Sequence, residues 1–365
     1  MIDFSIIILT YRSSDVITKN INSILVQKMP NQNYEIILIN DKSDDDTDKV
    51  LKLIATKNNK IRLFILNKRY GNGYCKNLAI EISKGRYLFF FDSHLFLPNK
   101  NTLAEMYTAI NKTQDLVGVC GNYVSENDSD YNLCRDIRRF MVYGKNSQDL
   151  FLQPNKFIPF SIVISVLRKK FLTAEKNFPD DFVHNAAEDT CFQINQHKQK
   201  RKFLYLSSAI GYHSHNANFY DAIIKLKREL LGYTLILKKF SNDKYFNDQY
   251  IPSFFSFPFF FYISLFIVLI YNKYWPLLLL AIYIEGLLLY PIMYYRISFK
   301  IRLKAFFYCL LSELLKLPII FYYVIREPSQ IFVILKQLFF WEINKIKYIY
   351  ENRLTKPRSY KITTS

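Results

Sequence analysis

The stretch "GRYLFFFDSHLFLP" (Gly85–Pro98) contains a run of strand-forming residues that stops at Asp92. The run does not alternate between apolar and polar residues, which indicates a strand buried on both faces, as in a parallel sheet covered by helices. His94 follows two positions after Asp92. Taken alone, this pair is either an ordinary strand exit that meets solvent or a pair of metal ligands presented to a cleft.

Other apolar runs of the same kind flank this strand and alternate with segments of helical periodicity. The runs are "FSIIILTY", "YEIILIN", "KIRLFIL" and "LVGVCG", and the helical segments cover about residues 14–27, 45–57, 74–83 and 102–111. This alternation predicts an α/β fold with a mostly parallel sheet flanked by helices. Ligands of such sheets bind at the carboxyl ends of the strands. Polar residues stand at four of these ends: Thr10, Asp41, Asn67 and Asp92.

The composition separates a mixed polar and apolar part from a strongly apolar part. Of 365 residues, 50% are hydrophobic and 17% aromatic, and long runs of Phe, Tyr, Leu and Ile lie beyond about residue 250. The formal net charge is +18. The chain shows no RNA- or DNA-binding motif, so we expect a membrane surface, and not nucleic acid, as the partner of this charge. The five cysteines form no CxxC pair, which is typical of reduced thiols in the cytosol.

Three apolar segments predict an α-helical membrane region at residues 251–325. The first two, 254–271 and 275–295, are long enough to span a bilayer and have aromatic flanks. The third, 305–325, has two charged residues and a proline in its middle. We expect a re-entrant or interfacial segment there, and a third span stays open as the alternative.

The flanking segments predict the orientation of the chain relative to the membrane. The apolar run near the N-terminus is too short for a signal peptide, and the basic loop 296–304 is expected on the cytoplasmic side. We therefore expect a multi-pass protein of the cell membrane with a cytoplasmic first domain. The predicted parts are an α/β domain at 1–216, a basic helical connector at 217–250, the apolar region at 251–325 and an amphipathic basic tail at 326–365.

Two histidine motifs and one aspartate indicate a metal site. Asp92 and His94 are alternate residues of an extended stretch, so they face one side and are able to bind one divalent cation. Such an ion would neutralise a diphosphate leaving group. His213 in "GYHSHN" ends a later strand, and we expect it to be the third ligand.

Two further motifs carry groups suited to catalysis and phosphate binding. In "AAEDTCFQI", Glu188 and Asp189 begin a helix, where they are either a first-turn pair favoured by the helix dipole or the site of a general base. In "YGNGYCKNLAI", Gly73 is expected to let the backbone approach a bound donor nucleotide closely, and Lys76 lies at a helix start, where phosphate binds well.

In their order and spacing, the motifs "SIIILTY", "EIILINDKSDDDT", "NGYCKNLAIEISKGRYLFFFDSH", "AEDTCFQI" and "GYHSHN" resemble glycosyltransferase family 2. Its members are inverting enzymes of the GT-A fold. The resemblance covers about residues 3–216, and it implies that 1–216 is a GT-A catalytic domain. It also implies that Thr10, Tyr11 and Asp41 bind the base and ribose of a nucleotide-sugar.

The resemblance implies roles for the remaining candidates as well. Lys76 stands where the family usually has Arg, near the diphosphate or base, and Asp92 begins the metal motif Asp-x-Asp. His213 corresponds to an additional metal ligand of some members. Asp189 corresponds to the catalytic base, with Glu188 beside it.

The sequence departs from the family pattern at two acids. Asn40 replaces the first acid of the usual Asp-Asp pair, which leaves base recognition to Asp41. His94 replaces the second metal aspartate, and Asp-x-His is similar to the motif of the polypeptide N-acetylgalactosaminyltransferases, which retain configuration. The "AEDT" element favours the inverting class. Because imidazole suits transition ions, we expect Mn²⁺ in preference to Mg²⁺.

The predicted function is a membrane-associated, metal-dependent, inverting transfer of a sugar from a nucleotide-diphosphate donor to a lipid-linked glycan. One alternative is a polyprenyl-phosphate glycosyltransferase, although a phosphate acceptor is already ionised and has little need of a base. Another is a catalytically inactive nucleotide-sugar-binding membrane protein. A nucleotidyltransferase would require a Gly-rich loop after the first strand, and "LTYRSSDV" has no glycine.

Overall fold

Continuous runs of Ile, Leu and Phe form the strands of one mixed sheet, because these side chains fit a pleated surface covered on both faces. The computed structural model describes residues 2–29, 33–126, 149–152, 160–173, 176–180, 187–214, 219–240 and 242–250. In this part of the chain the strands are β1 (Phe4–Thr10), β2 (Tyr34–Asn40), β3 (Ile61–Ile65), β4 (Tyr87–Asp92), β5 (Leu95–Phe96), β6 (Leu116–Ser125), β7 (Leu150–Leu152), β8 (Ile164–Arg168) and β9 (Lys202–His213).

Helices of amphipathic sequence separate and cover these strands. In α1, for example, Ile17, Ile21 and Ile24 recur at helical spacing and are all buried. The helices are α1 (Ile17–Leu25), α2 (Thr47–Thr56), α3 (Asn72–Ile82), α4 (Thr102–Ile110), α5 (Glu188–Lys198), α6 (Phe219–Phe240) and α7 (Lys244–Gln249), with a short 3-10 turn at Lys169–Phe171. The last of them, α7, belongs to a second compact unit that begins at Asp243.

The strand order is β3-β2-β1-β4-β8-β6-β9-β5, and β7 pairs with β9. Strands β1 to β4 are parallel to one another, as the sequence predicts. Beyond β4 the sheet also contains antiparallel pairs: β8 runs antiparallel between β4 and β6, and β5 and β7 are antiparallel to β9, whereas β6 and β9 are parallel. The result is an α/β fold with a mixed sheet.

The strand register aligns the predicted site residues along one edge. Thr10 is paired with Asn40, and Leu9 with Asp92, so β1, β2 and β4 end at the same edge. Farther along, His213 at the end of β9 is paired with Leu95 of β5, directly after His94. The sheet pairing therefore brings residues from distant parts of the chain to one border.

Both faces of the sheet carry a hydrophobic core. On one face, Ile6, Phe89 and Met106 belong to a cluster to which α1 and α4 contribute. On the other, Phe90 and Phe192 belong to a cluster to which α3 and α5 contribute. Alternate residues of β1, β2 and β4 enter opposite clusters, which explains why these strand sequences are apolar without interruption.

The predicted multi-pass membrane location is wrong for the chain as the structure describes it. Among the described residues, no helix combines the length and the apolar character needed to cross a membrane. The longest, α6, has 22 residues but includes the charged "KLKRE" segment. The apolar segments 254–271, 275–295 and 305–325, and the tail 326–365, lie outside the described residues.

Candidate functional site

The loop after β3 is fixed by a buried carboxylate at the end of β2. Asp41 Oδ1 accepts a hydrogen bond from the Tyr70 backbone N–H at 2.7 Å, and Oδ2 accepts one from Gly71 at 2.8 Å. Gly71 has φ of 88°, a conformation that glycine adopts without strain. The predicted nucleotide-binding residue Asp41 therefore also orients the chain that enters α3.

Two neighbouring polar residues at the same edge point into the protein. Thr10 is only 2% exposed, and its Oγ1 donates to the Ile39 carbonyl at 3.2 Å. The fully buried Asn40 accepts from Ser43 Oγ at 2.5 Å and donates from Nδ2 to Asp48. Asn40, which stands in place of an acid, thus closes the turn between β2 and α2.

Tyr11 lies at this edge under a guanidinium group. The Arg69 Cζ atom is 3.9 Å from the centroid of the Tyr11 ring, a cation–π distance, and Arg12 Cζ is at 5.3 Å. Arg12 also forms an ion pair with Asp44. The sequence analysis missed Arg69, although its position after the third predicted strand is a signal that would have found it.

Backbone strain accompanies these strand exits. Arg12 and Lys42 have φ of 50° and 54°, in the left-handed region, where a residue with a Cβ costs about 1 to 2 kcal/mol. Ala187, directly before α5, has φ of 89°. All three positions border the predicted site, and strained backbone of this kind clusters at functional sites.

Asp92, His94 and His213 come together as the sequence predicts. Asp92 Oδ1 lies 3.2 Å from His94 Nδ1 and 3.5 Å from His213 Nε2. Ser93 Oγ is 2.7 Å from Ser13 Oγ, which ties this turn to the exit of β1. One carboxylate and two imidazoles form a donor set that suits a divalent transition ion.

This cluster is nevertheless not spread around a common metal position. Among the described residues, no group of three or more His, Cys, Asp or Glu side chains has an arrangement that would hold a metal ion. Here the Asp92 oxygen itself contacts both imidazoles. The donor atoms therefore fit a metal by their chemistry, and binding would require the side chains to separate slightly around it.

The predicted base and the predicted phosphate-binding lysine are in direct contact. Lys76 is 2% exposed, and its Nζ donates to Glu188 Oε1 at 2.7 Å and also to Asp189 Oδ1. The other Asp189 oxygen accepts from the Ile162 N–H at 3.2 Å. This buried triad of Lys76, Glu188 and Asp189 holds two acids and one base, so it carries one net negative charge when all three are ionised.

The environment of the triad shifts two of its groups. Burial raises the pKa of the Asp189 carboxyl to about 6; the charge of Lys76 opposes this shift and that of Glu188 adds to it. Burial by itself would lower the pKa of Lys76, but the charges of Asp189 and Glu188 hold it above its usual value. A carboxylate with a raised pKa is suited to accept a proton near neutral pH.

The loop at residues 176–180 packs against α3. Asn77 accepts hydrogen bonds from the backbone N–H groups of Asn177 and Phe178, each at 3.0 Å, and donates to the Phe178 carbonyl at 2.7 Å. A Cβ on Gly73 would lie 1.9 Å from the Pro179 carbonyl oxygen. The close approach that Gly73 permits is therefore to this loop of the protein itself.

The cluster of Asp92, His94 and His213 and the triad both contact one short segment before β8. The Asp92 N–H donates to the Val163 carbonyl at 3.0 Å, and Asp189 accepts from the N–H of the preceding residue, Ile162. Asp92 and Asp189 therefore form hydrogen bonds to two adjacent residues of this segment, Val163 and Ile162.

The raised pKa of Asp189 predicts that this residue lowers stability. An aspartate that ionises near 3.8 when unfolded and near 6 when folded loses folding free energy as the pH rises through that interval. Because 21% of the Asp189 side chain is exposed, the ionised carboxylate costs about 1 to 2 kcal/mol of folding free energy above pH 6. Asp189→Asn should therefore raise Tm at pH 7.5 by about 3 °C or more, and the gain should disappear near pH 4.

A matched variant tests the sign of this effect. Lys176 holds the pKa of the Asp180 carboxyl below its usual value. Asp180→Asn should therefore leave Tm at pH 7.5 unchanged or lower it. An equal rise in both variants, measured by thermal melting at the two pH values, would contradict the assignment of the cost to Asp189.

A family model described as glycosyl transferase family 2 matches residues 5–172. The matched range includes β1 to β4 and ends after β8, so it contains Asp41, Lys76 and Asp92 but not Asp189. The structural comparison agrees in fold. A mannosyltransferase from Pyrobaculum calidifontis, solved with GDP-Man and Mn²⁺, has a TM-score of 0.52 at 14% identity and covers 94% of this chain and 86% of its own.

Two curated relatives extend the comparison. The poly(ribitol-phosphate) beta-glucosyltransferase of Bacillus spizizenii is 28% identical over 240 residues, which is 60% of this chain and 35% of that protein. The dolichyl N-acetyl-alpha-D-glucosaminyl phosphate 3-beta-D-2,3-diacetamido-2,3-dideoxy-beta-D-glucuronosyltransferase of Methanococcus voltae is 28% identical over 329 residues, 84% of this chain and 94% of that protein. The chain spans about a third of the length of the Bacillus relative. Residues 5–172 are therefore similar to glycosyl transferase family 2, and both curated relatives are named as glycosyltransferases.

Proposed function

We propose that the chain is a glycosyltransferase that transfers one sugar from a nucleotide-diphosphate donor to a hydroxyl group of a lipid-linked glycan, with inversion at the anomeric carbon. The observation that carries the proposal is the position of Asp189. It lies in the first turn of α5, in contact with Lys76, and its pKa is raised towards neutrality. A sugar hydroxyl is a weak nucleophile that needs such a base.

The reaction follows from the roles of the protein groups. Asp189 takes the proton of the acceptor hydroxyl as its oxygen attacks the anomeric carbon. The bond from that carbon to the diphosphate breaks, and the nucleoside diphosphate leaves with the electron pair. Attack from the face opposite the leaving group inverts the configuration. Tyr11, Asp41 and Arg69 at the strand exits would orient the nucleotide.

A divalent metal is part of the proposal because of the donor set at the end of β4. Asp92, His94 and His213 would hold the ion, which would neutralise the departing diphosphate. The mannosyltransferase with a similar fold was solved with Mn²⁺. Imidazole nitrogens favour Mn²⁺ over Mg²⁺, since Mg²⁺ prefers oxygen ligands.

The acceptor class is proposed from the chemistry of the base and from one relative. The Methanococcus relative, 94% of whose length is covered, is named for an acceptor in which a sugar is linked to dolichyl phosphate. A free polyprenyl phosphate is already ionised and would not need Asp189 as a general base. The presence of a base therefore favours a sugar hydroxyl of a lipid-linked glycan over a lipid phosphate.

The donor is tested directly with a panel of nucleotide sugars. UDP- and GDP-linked sugars, each with Mg²⁺ or with Mn²⁺, are added to the purified chain, and Tm is measured. A ligand at 100 times its Kd stabilises the folded state by about 2.7 kcal/mol. We expect stabilisation by one nucleotide class with Mn²⁺, followed by metal-dependent hydrolysis or transfer of that sugar. Binding without any turnover would support a catalytically inactive binding protein instead.

A further inference from the structure

We propose that Lys76 is a positioning residue for the base Asp189 and is not a ligand of the donor diphosphate. This inference rests on the proposed function, since it assigns a task within the same site. Sequence resemblance places Lys76 near the donor, but its Nζ lies between the carboxylates of Glu188 and Asp189. Glu188 lies 112 positions after Lys76 in the chain, and Asp189 lies 113 positions after it.

Burial separates Lys76 from a ligand in solvent. Only 3% of its side chain is exposed, and the Phe178 ring covers the ammonium group at 5.2 Å from Nζ to the ring centroid. A diphosphate would have to displace either a carboxylate or the aromatic ring to reach it. Removing the cation from its two acids would leave two buried charges without their partner, which is strongly unfavourable.

The backbone that carries Lys76 is held in place on both sides. Gly73 abuts the Pro179 carbonyl, and Asn77 makes three hydrogen bonds to Asn177 and Phe178. Phe178 in turn stacks on Phe192 of α5, with centroids 4.7 Å apart. Helix α3 is thereby packed through this loop against the helix that begins with the two acids, so Lys76 is fixed relative to Asp189.

The groups facing Asp189 act on it in opposite directions. From α3, Lys76 favours the ionised carboxylate; from its own helix, Glu188 favours the protonated one; from the segment before β8, the Ile162 N–H favours the ionised form. Lys76 also fixes the direction of one carboxylate oxygen, while the Ile162 N–H fixes the other. Its two effects are therefore orientation of the base and control of its protonation.

The test is the pH dependence of kcat/KM for the donor sugar identified in the panel. Lys76→Met should move the acid limb upwards by about one pH unit or more and lower kcat, with donor KM unchanged within about twofold. Glu188→Gln should move the limb downwards, and Lys76→Arg should keep it near the wild-type position. Lys49→Met, which removes an exposed lysine paired with Asp46, is the control and should change neither quantity.

A second measurement keeps the inference separate from the proposed function. The variants are titrated with UDP and with GDP, and the Kd values should match those of the wild type. A tenfold rise in Kd or donor KM for Lys76→Met, with an unmoved acid limb, would make Lys76 a donor ligand and overturn the inference. If Lys76→Met does not fold, a Glu188→Gln limb that fails to move downwards has the same consequence.

Failure of the proposed function would look different, because the wild type would then neither transfer nor hydrolyse any sugar. In that case the coupling is still measured by thermal melting at pH 7.5 of Lys76→Met, Asp189→Asn and the double variant. We expect a strongly non-additive result, with Asp189→Asn restoring part of the Tm lost in Lys76→Met. Additive changes would contradict a direct role of Lys76 in holding Asp189.

Discussion

Replacing Asp189 with Asn should lower kcat by about 10²- to 10⁴-fold, because a general base typically contributes that much. The amide keeps the shape of the side chain and an oxygen able to accept from Ile162, but it cannot take a proton. The donor should bind nearly as in the wild type, since none of the contacts of Asp41 or Tyr11 is altered. The measurement is steady-state transfer at saturating donor, with donor Kd determined in parallel.

Asp180→Asn supplies the control for this experiment. It also removes one carboxylate close to α3, but it lies on the loop and is paired with Lys176 at the surface. Its kcat should remain within about twofold of the wild type. Turnover of Asp189→Asn close to normal would remove Asp189 from the base role and with it the central support for a hydroxyl acceptor.

Replacing Asp92 with Ala should reduce metal-dependent activity by at least about 100-fold, because even residues that support metal ligands from outside typically cost 10- to 100-fold. Asp92 contacts both imidazoles of the cluster, so its loss removes the only carboxylate among the three proposed ligands. His94→Asp is the informative companion. It restores a second oxygen ligand and should keep activity while shifting the preference from Mn²⁺ towards Mg²⁺.

Activity is titrated with each ion separately, and Asp115→Ala serves as the matched control. Asp115 is a partly exposed acid that pairs with Lys202, away from the proposed ligands. Its metal dependence should equal that of the wild type. If neither Asp92 nor His94 affects the metal dependence, the end of β4 is an ordinary strand exit, and the proposed metal site is wrong.

The first half of the sheet could be predicted from the sequence because its signals are local. The predicted strand "YEIILIN" coincides with β2, and the predicted helical segment at about 102–111 contains α4. The direction of β8 could not be predicted in this way. Whether a strand is parallel or antiparallel to its neighbour depends on residues far away in the chain, and a short apolar run has no direction of its own.

The candidate site shows the same division. Asp92, His94 and His213 were predicted as a group, and the structure brings them together because β5 pairs with β9. The contact between Lys76 and Asp189 could not be read from the sequence, since both residues also fit other roles at helix starts. Gly73 is explained by a contact within the protein, with Pro179. The roles of the predicted site residues in donor binding and catalysis stay predictions until the variants are measured.

The two hydrogen bonds of Asp41 have a consequence for the thermodynamics of nucleotide binding. Immobilising a mobile side chain on binding costs about 0.5 to 1.5 kcal/mol of entropy. Asp41 has already lost this freedom on folding, because the backbone of Tyr70 and Gly71 holds both of its oxygens. Each carboxylate oxygen has about two acceptor positions, and the loop occupies one on each oxygen. If Asp41 binds the base, the entropic cost of ordering its side chain is therefore already included in the free energy of folding. This cost does not lower the affinity for the donor.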